Sequence, residues 1–262
     1  MKKIINKLIK IFYPLNLFFI NKSLLGLIGI KLIKISKNKF QIIDNKYDEI
    51  YISRLNRCNI YINGVENRLI KLYKSYTFNT VPIKRNDIVI DCGSNIGEFS
   101  IYISKKFGCK VFSFEPELVE FDILKENTKN LNITTINKAL SNKNGNFSLY
   151  SKNVSGDSSL IDNGSNHIKK INTIKLDDYI ENETKIKLFK LEAEGFEPEI
   201  LEGSIKTLKS VEYVACDCGP ERGITNEFTF NSVYKFLINQ NFSLINSDLN
   251  RYIFLFKKNN AL

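Results

Sequence analysis

Short aliphatic runs, glycine turns and helically spaced apolar residues alternate along the chain, most clearly over residues 87–116. Residues 88–90 are apolar and stop at Asp91. A turn holding Gly93 and Gly97 follows, and Phe99, Ile101, Tyr102 and Ile103 then recur at helical spacing. A second apolar run, 111–114, stops at Glu115, 24 residues after Asp91. Two strands that each end in an acid, joined through a glycine turn and a helix, predict a βαβ unit with a nucleoside-binding edge.

The same rhythm predicts the rest of the domain. Leu69, Ile70, Leu72, Tyr73 and Tyr76 mark a helix ahead of the first core strand, with a short strand at 60–62 before it. Leu118, Phe121, Leu124 and Leu131 mark a helix of about four turns, and 133–136 a third strand. Residues 171–176 and 186–191 read as buried parallel strands, 197–208 as a helix and 211–216 as a further strand. A helix over 228–237 leads to strands at 242–245 and 252–256, joined by a connection short enough for a hairpin. The polar stretch 141–170 reads as a long loop with one strand at 147–150, placed to act as a lid; its His167 reads as solvated.

Candidate chemistry collects at strand ends. Gly93 and Gly97 let backbone N–H groups approach a ligand, and Glu115 offers acceptors to a ribose diol. The turn reads Gly93-Ser94-Asn95-Ile96-Gly97, without the close glycine pair that cradles a pyrophosphate, which favours S-adenosylmethionine over a dinucleotide. Glu192 and Glu194, beside Gly195, fall at the carboxyl edge of the sheet and are assigned to the site. Glu197 is assigned to the dipole of the helix that it opens. Asp217 ends the next strand at the same edge, and with Glu194 it is a candidate general base. A divalent cation on the carboxylates around Gly195 is the alternative use of that cluster, and no metal is assigned.

Four stretches in order, DCGSNIGEFS, FSFEPE, LDDYI and KLEAEGFEPEILEG, resemble the successive motifs of the FkbM family of S-adenosylmethionine-dependent methyltransferases. The resemblance covers about residues 89–217. It implies a Rossmann-like class I methyltransferase sheet, mostly parallel with a C-terminal antiparallel hairpin and helices on both faces. It also implies methyl transfer to a hydroxyl of a sugar, glycan or related metabolite. The cofactor-binding set it implies is Asp91, Gly93, Ser94, Asn95, Gly97, Glu115, Asn137, Ala139 and Glu192, with the turn at Asn137 and Ala139 flanking adenine. Family members usually carry Asp where Glu192 stands.

Charge narrows the partners. Nine lysines and no acid lie in residues 1–40, so nearly all of the net charge of +10 sits there and the remainder carries about +1. A near-neutral body excludes a broad nucleic-acid-binding face. The expected division is a basic amphipathic arm, 1–43, and a methyltransferase domain, 44–262. In the arm, Ile4, Ile5, Leu8, Ile11 and Phe12 share one helical side opposite lysines, and no run reaches the ~20 apolar residues that span a bilayer. Residues 1–35 are expected to rest on an anionic membrane surface, or else to pack on the domain or a second subunit. Five scattered cysteines form no disulfide framework and suit a reducing cytoplasm. The runner-up reading is a non-catalytic module of this fold that binds a glycan or membrane partner.

Overall fold

The computed structural model describes residues 29–45, 49–151, 158–162, 164–165, 167–181 and 184–259. A seven-stranded sheet dominates, in the order β15-β16-β12-β11-β4-β5-β6. Its members are β4 (Ile88–Cys92), β5 (Lys110–Phe114), β6 (Ile133–Ile136), β11 (Ile186–Leu191), β12 (Val211–Asp217), β15 (Phe242–Asp248) and β16 (Ile253–Lys258). Neighbours pair in parallel from β6 to β12, and β16 runs antiparallel to both β12 and β15. That is the mostly parallel sheet with an inserted hairpin strand that the sequence predicts.

Period-2 alternation decides which side chains face which layer. Val89, Leu188, Ala215 and Leu255 face helices α1 (Val65–Thr77) and α2 (Glu98–Phe107), where Leu72, Tyr76, Phe99 and Ile103 complete one core. Ile90, Phe189, Val214, Cys216 and Phe256 face the other way, against Leu201 of α4 (Glu197–Glu202) and Val233 and Leu237 of α5 (Phe230–Asn239). Helix α3 (Leu118–Asn127) follows β5 and is shorter than its apolar spacing predicts. Thr128 ends it, its hydroxyl donating to Leu124 O at 2.7 Å. The helix predicted over 197–208 likewise stops at Glu202; Gly203 caps it, so close to Ser141 that a Cβ there would meet its carbonyl oxygen at 2.0 Å.

Three other expectations change. Residues 60–62 are not a strand. Residues 60 and 61 end a 3-10 helix, Leu55–Tyr61, whose buried Cys58 and Tyr61 lie three apart, and Ile62 caps it. Residues 171–176 do not join the main sheet: β10 (Ile168–Ile174) pairs antiparallel with β8 (Gly145–Ser151) and parallel with β7 (Ala139–Leu140), in a small sheet completed by β9 (Ser158–Ser159). Within the long polar segment, residues 145–151, 158–159 and 168–170 are thus strand, and His167 is exposed. Finally, the boundary expected at 43/44 falls inside β2 (Lys39–Asp44), which with β1 (Ile30–Ser36) and β3 (Glu49–Ile52) makes an antiparallel sheet.

That three-stranded sheet is fastened to the domain. Leu32, Ile42, Ile50 and Ile52 pack with Tyr61, Val65, Leu69 and with Ile96, Ile101 and Ile123. The Val65 N–H donates to Asp44 Oδ2 (2.8 Å), closing the start of α1. Asn127 Nδ2 donates to Tyr51 O and to Ile96 O, each 2.9 Å, linking β3 to the glycine turn after β4. The segment expected to lie on a membrane thus overlaps β1, and its remaining part, residues 1–28, lies outside the described residues. No described helix is long and apolar enough to cross a membrane.

Candidate active site

From β4 the chain builds outward through β5 to β6, then returns to place β11 on the other side of β4. This topological switch point opens a crevice at the carboxyl ends of β4 and β11, where open α/β sheets bind ligands. A cavity of about 200 Å³ occupies it. The two strand ends approach so closely that a Cβ on Gly93 (φ +73°) would lie 1.9 Å from Glu192 O. Gly93 is thus required by contact between backbones as well as by its left-handed φ.

Lys190, only 2 % exposed, ties these ends together. Its ammonium pairs with Asp91 Oδ1 (3.0 Å) and Glu192 Oε2 (2.9 Å) and donates to Cys92 O (3.2 Å) and Gly93 O (2.9 Å). Burial alone would lower its pKa, but the Asp91 and Glu192 carboxylates hold it above the ordinary lysine value. Burial works against Glu192 too, and Lys190 nevertheless holds its pKa below the usual carboxylate value, so it faces the cavity ionised. Asp91 is fully buried, accepts from Ser100 Oγ (2.6 Å) and does not line the cavity. Its part is to anchor Lys190 and α2.

On the nucleoside side, Glu115 Oε2 accepts the Asn95 N–H and Oε1 the Glu117 N–H, both at 2.8 Å. Ionised, each oxygen keeps lone-pair capacity for a further donor; protonated, one of them becomes a donor instead. Burial pushes Glu115 up to about 8, against the pull of those N–H groups. Phe114, Pro116, Ala139, Leu140 and Leu149 add apolar wall; Ser94 and Asn95 also line the space. Asn137 and Gly97 do not. Asn137 Nδ2 donates to Glu115 O (2.9 Å) and Pro116 O (3.2 Å), fixing the loop from behind, while Gly97 (φ +92°) is needed because a Cβ would meet Leu124 Cδ1 at 2.7 Å.

The two candidate bases separate. Glu194 lines the cavity, held on a left-handed residue (φ +51°) whose carbonyl accepts from Ser159 Oγ at 2.8 Å. Asp217 is buried and is not among the lining residues. Burial, then the charges of Glu192 and Glu221, push it up to about 8. Glu197, read from sequence as a dipole residue, orders the turn itself, since its Oε1 accepts the N–H groups of Ala193 (2.9 Å) and Gly195 (3.1 Å).

Burial raises Glu197 to about 7. The folded chain therefore keeps a proton that the unfolded chain releases above about 4.5, and stability falls as pH rises from there through about 7. Glu115 and Asp217 add the same sign up to about 8. Glu197→Gln keeps an oxygen for both N–H groups and cannot titrate. Its melting temperature should therefore decline less than wild type's between pH 5 and 7.5, as read by scanning calorimetry; parallel declines would refute a buried, protonated Glu197.

Several cavity residues were not foreseen from the sequence. Helix α1 contributes Arg68, Leu72 and Tyr76, spaced i, i+4, i+8 on one face; the 3-10 helix adds Arg57, and the β15–β16 turn adds Arg251. The Tyr76 hydroxyl is buried, and burial first and the Glu192 carboxylate next hold its pKa well above the ordinary tyrosine value. The α1 stripe was visible in the sequence as a helix, but not which way it faces. Among the described residues no cluster of three or more His, Cys, Asp or Glu could hold a metal ion.

A sheet of this order, with a cavity at its switch point that joins a strand-end acid to a glycine turn, defines a nucleoside-binding protein of methyltransferase architecture. The chain belongs to the family of the methyltransferase FkbM domain, whose model matches residues 91–244. It is 34% identical over 137 residues to the hexuronic acid methyltransferase AglP of Haloferax volcanii, an alignment covering 50% of this chain and 55% of that protein. It is 29% identical over 109 residues to the methyltransferase sdnD of Sordaria araneosa, covering 38% of this chain and 42% of that one. The chain thus spans about half the length of these curated relatives. Among solved structures, it is similar to a TehB-like SAM-dependent methyltransferase from Corynebacterium glutamicum (14% identity, TM-score 0.44, 74% and 88% of the two chains covered). A SAM dependent methyltransferase from Aquifex aeolicus is similar too (15%, TM-score 0.43, 72% and 95%).

The cavity fits the cofactor that the family implies. Gly93 leaves backbone exposed where a Cβ has no room, Glu115 retains acceptor capacity beside apolar walls, and ionised Glu192 faces the space where a sulfonium would need a counter-charge.

Proposed function

We propose that the chain is an S-adenosylmethionine-dependent O-methyltransferase acting on a hydroxyl of a sugar, glycan or related metabolite. The observation that carries this reading is a single cavity lined by both the nucleoside-side acid, Glu115, and the acceptor-side acid, Glu194. Kinship with a hexuronic acid methyltransferase favours a sugar-derived acceptor.

When bound, the cofactor supplies an electrophilic methyl group on a positively charged sulfur. In this reading the chain does the rest. Glu115 orients the ribose, while Glu192, kept ionised by Lys190, offers a negative charge to the sulfonium. Glu194 takes the proton from the acceptor hydroxyl, a contribution of roughly 10²–10⁴-fold. Glu194 replaces Asp217 as the preferred base because it lines the cavity, whereas Asp217 lies outside it and is held protonated at neutral pH.

The test is methyl transfer from labelled cofactor to a panel of free sugars and glycosides. Glu194→Gln should lower turnover at least tenfold with unchanged calorimetric affinity for S-adenosylhomocysteine, and Asp217→Asn should stay within a few-fold of wild type. The reverse ranking would make Asp217 the base. Cofactor binding without transfer to any hydroxyl would select the non-catalytic module instead.

We place the protein in a reducing cytoplasm, consistent with five free, buried cysteines, with basic residues 1–28 as the segment that would touch an anionic membrane.

A further inference from the structure

Two guanidinium groups line the cavity beside the glycine turn, and both are built on segments that precede the family-matched region. Arg68, from α1, pairs with Glu98 through Nε to Oε1 (2.8 Å) and Nη2 to Oε2 (3.0 Å). Arg57, from the 3-10 helix, reaches Glu98 Oε2 through Nη2 at 3.4 Å, and its Nε is buried with no hydrogen-bond partner. Tyr61 Oη donates to Glu98 Oε1 at 2.7 Å. Burial opposes the charge on Glu98, yet Arg68 and Arg57 hold its carboxyl down at about 2, so it is ionised throughout the working range. Arg54 pairs with the neighbouring Glu120 at 3.3 Å. Arg68 thus takes both close contacts to Glu98, and Arg57 meets it through one long contact only, which leaves buried donor capacity on the Arg57 guanidinium unused.

A buried donor left unused is costly, and a ligand acceptor entering the cavity would satisfy it. The other cations of the cavity are placed differently. Lys190 is saturated by two carboxylates and two carbonyls, and Arg251, on the β15–β16 hairpin, donates to Ser75 Oγ (3.0 Å) and lies 6.0 Å from the centre of the Tyr76 ring. Lys138 adjoins Ala139 on the nucleoside wall. A sulfonium cofactor has three arms, and the cavity has three kinds of wall: nucleoside-accepting around Glu115, acidic around Glu192 and Glu194, and cationic around Arg57 and Arg68.

We propose that Arg57 and Arg68 form the subsite that binds the α-carboxylate on the amino-acid arm of the cofactor, with Glu98 as the internal counter-ion that fixes both guanidinium groups. Planar guanidinium groups suit a carboxylate, and Glu98 holds their side chains in place before the ligand arrives. The proposal rests on the methyltransferase reading and makes the segment upstream of the matched domain part of the cofactor site.

The test compares two ligands by titration calorimetry on the full chain: S-adenosylhomocysteine, which carries the amino-acid arm, and 5′-methylthioadenosine, which has the same nucleoside and thioether without it. Wild type should prefer the first at least tenfold. Arg57→Gln should reduce that preference several-fold through weaker S-adenosylhomocysteine binding alone, with 5′-methylthioadenosine affinity unchanged. Should removal of Arg68 alone unfold the chain by stranding Glu98, the paired Arg68→Gln/Glu98→Gln change removes both charges and should likewise erase the preference. Equal binding of the two ligands by wild type, or variants that keep the full preference, would overturn the subsite. Loss of both affinities in equal measure would show a merely structural role. If neither ligand binds wild type, the methyltransferase reading itself fails.

Discussion

Lys190→Met is expected to destabilise the fold by about 3–5 kcal/mol, the range for removing one partner from a buried ion pair. The substitution roughly preserves side-chain length and leaves Asp91 fully buried without its cation, while two strand-end carbonyls lose a donor. The penalty falls on the junction of β4 and β11, where no other side chain holds both Asp91 and Glu192. Urea unfolding at pH 7 should show the midpoint falling with little change in slope. In the fraction still folded, affinity for S-adenosylhomocysteine should fall as well, because Lys190 also fixes Gly93 O and Glu192. Asp91→Asn/Lys190→Met, which removes both charges of the pair, should recover part of the lost stability. No recovery would mean that the lysine acts through packing alone.

What the sequence reveals and what it hides divide along a physical line. The βαβ unit was legible because its signals are local: a run of β-branched residues fixes β4, glycines at 93 and 97 fix the turn, and Glu115 falls at a set distance from Asp91. The antiparallel β16 was legible for a similar reason, as two apolar runs a few residues apart. The small sheet was not. Residues 168–174 have strand character, but the choice between the main sheet and β8 depends on partners, and the mostly exposed β10 carries no signal for it.

Within the site, local chemistry was read correctly as to type but not always as to duty. Asp91, Asn137 and Gly97 are strand-end or turn residues, as expected, yet they act from behind the cavity through Lys190, the 115–116 carbonyls and Leu124. Lys190 could have been suspected, being a lone charge near the end of the otherwise apolar strand 188–191. Arg57 and Arg68 could not, because only the packing of the three-stranded sheet and α1 brings them to Glu98. Asp217 shows the opposite failure: a residue at the right edge of the sheet whose side chain the cavity does not reach.

Gly93→Ala should be the most damaging single-atom change at the site. A left-handed φ costs a residue with a Cβ roughly 1–2 kcal/mol, and here the added carbon would also lie 1.9 Å from a backbone oxygen, Glu192 O, which no rotamer change can relieve. The ends of β4 and β11 must therefore move apart, which disturbs the Lys190 contacts to Gly93 O and Glu192 together. The expected result is a loss of several kcal/mol in stability and at least a tenfold weaker affinity for S-adenosylhomocysteine by calorimetry. Gly97→Ala is the matched control, since it carries a comparable left-handed φ but its Cβ meets a movable methyl, Leu124 Cδ1 at 2.7 Å, outside the cavity. It should lower the melting temperature while leaving ligand affinity within a few-fold of wild type. Equal losses of affinity in the two variants would mean that the turn matters as a whole, and that the meeting of Gly93 with Glu192 has no special place in shaping the cavity.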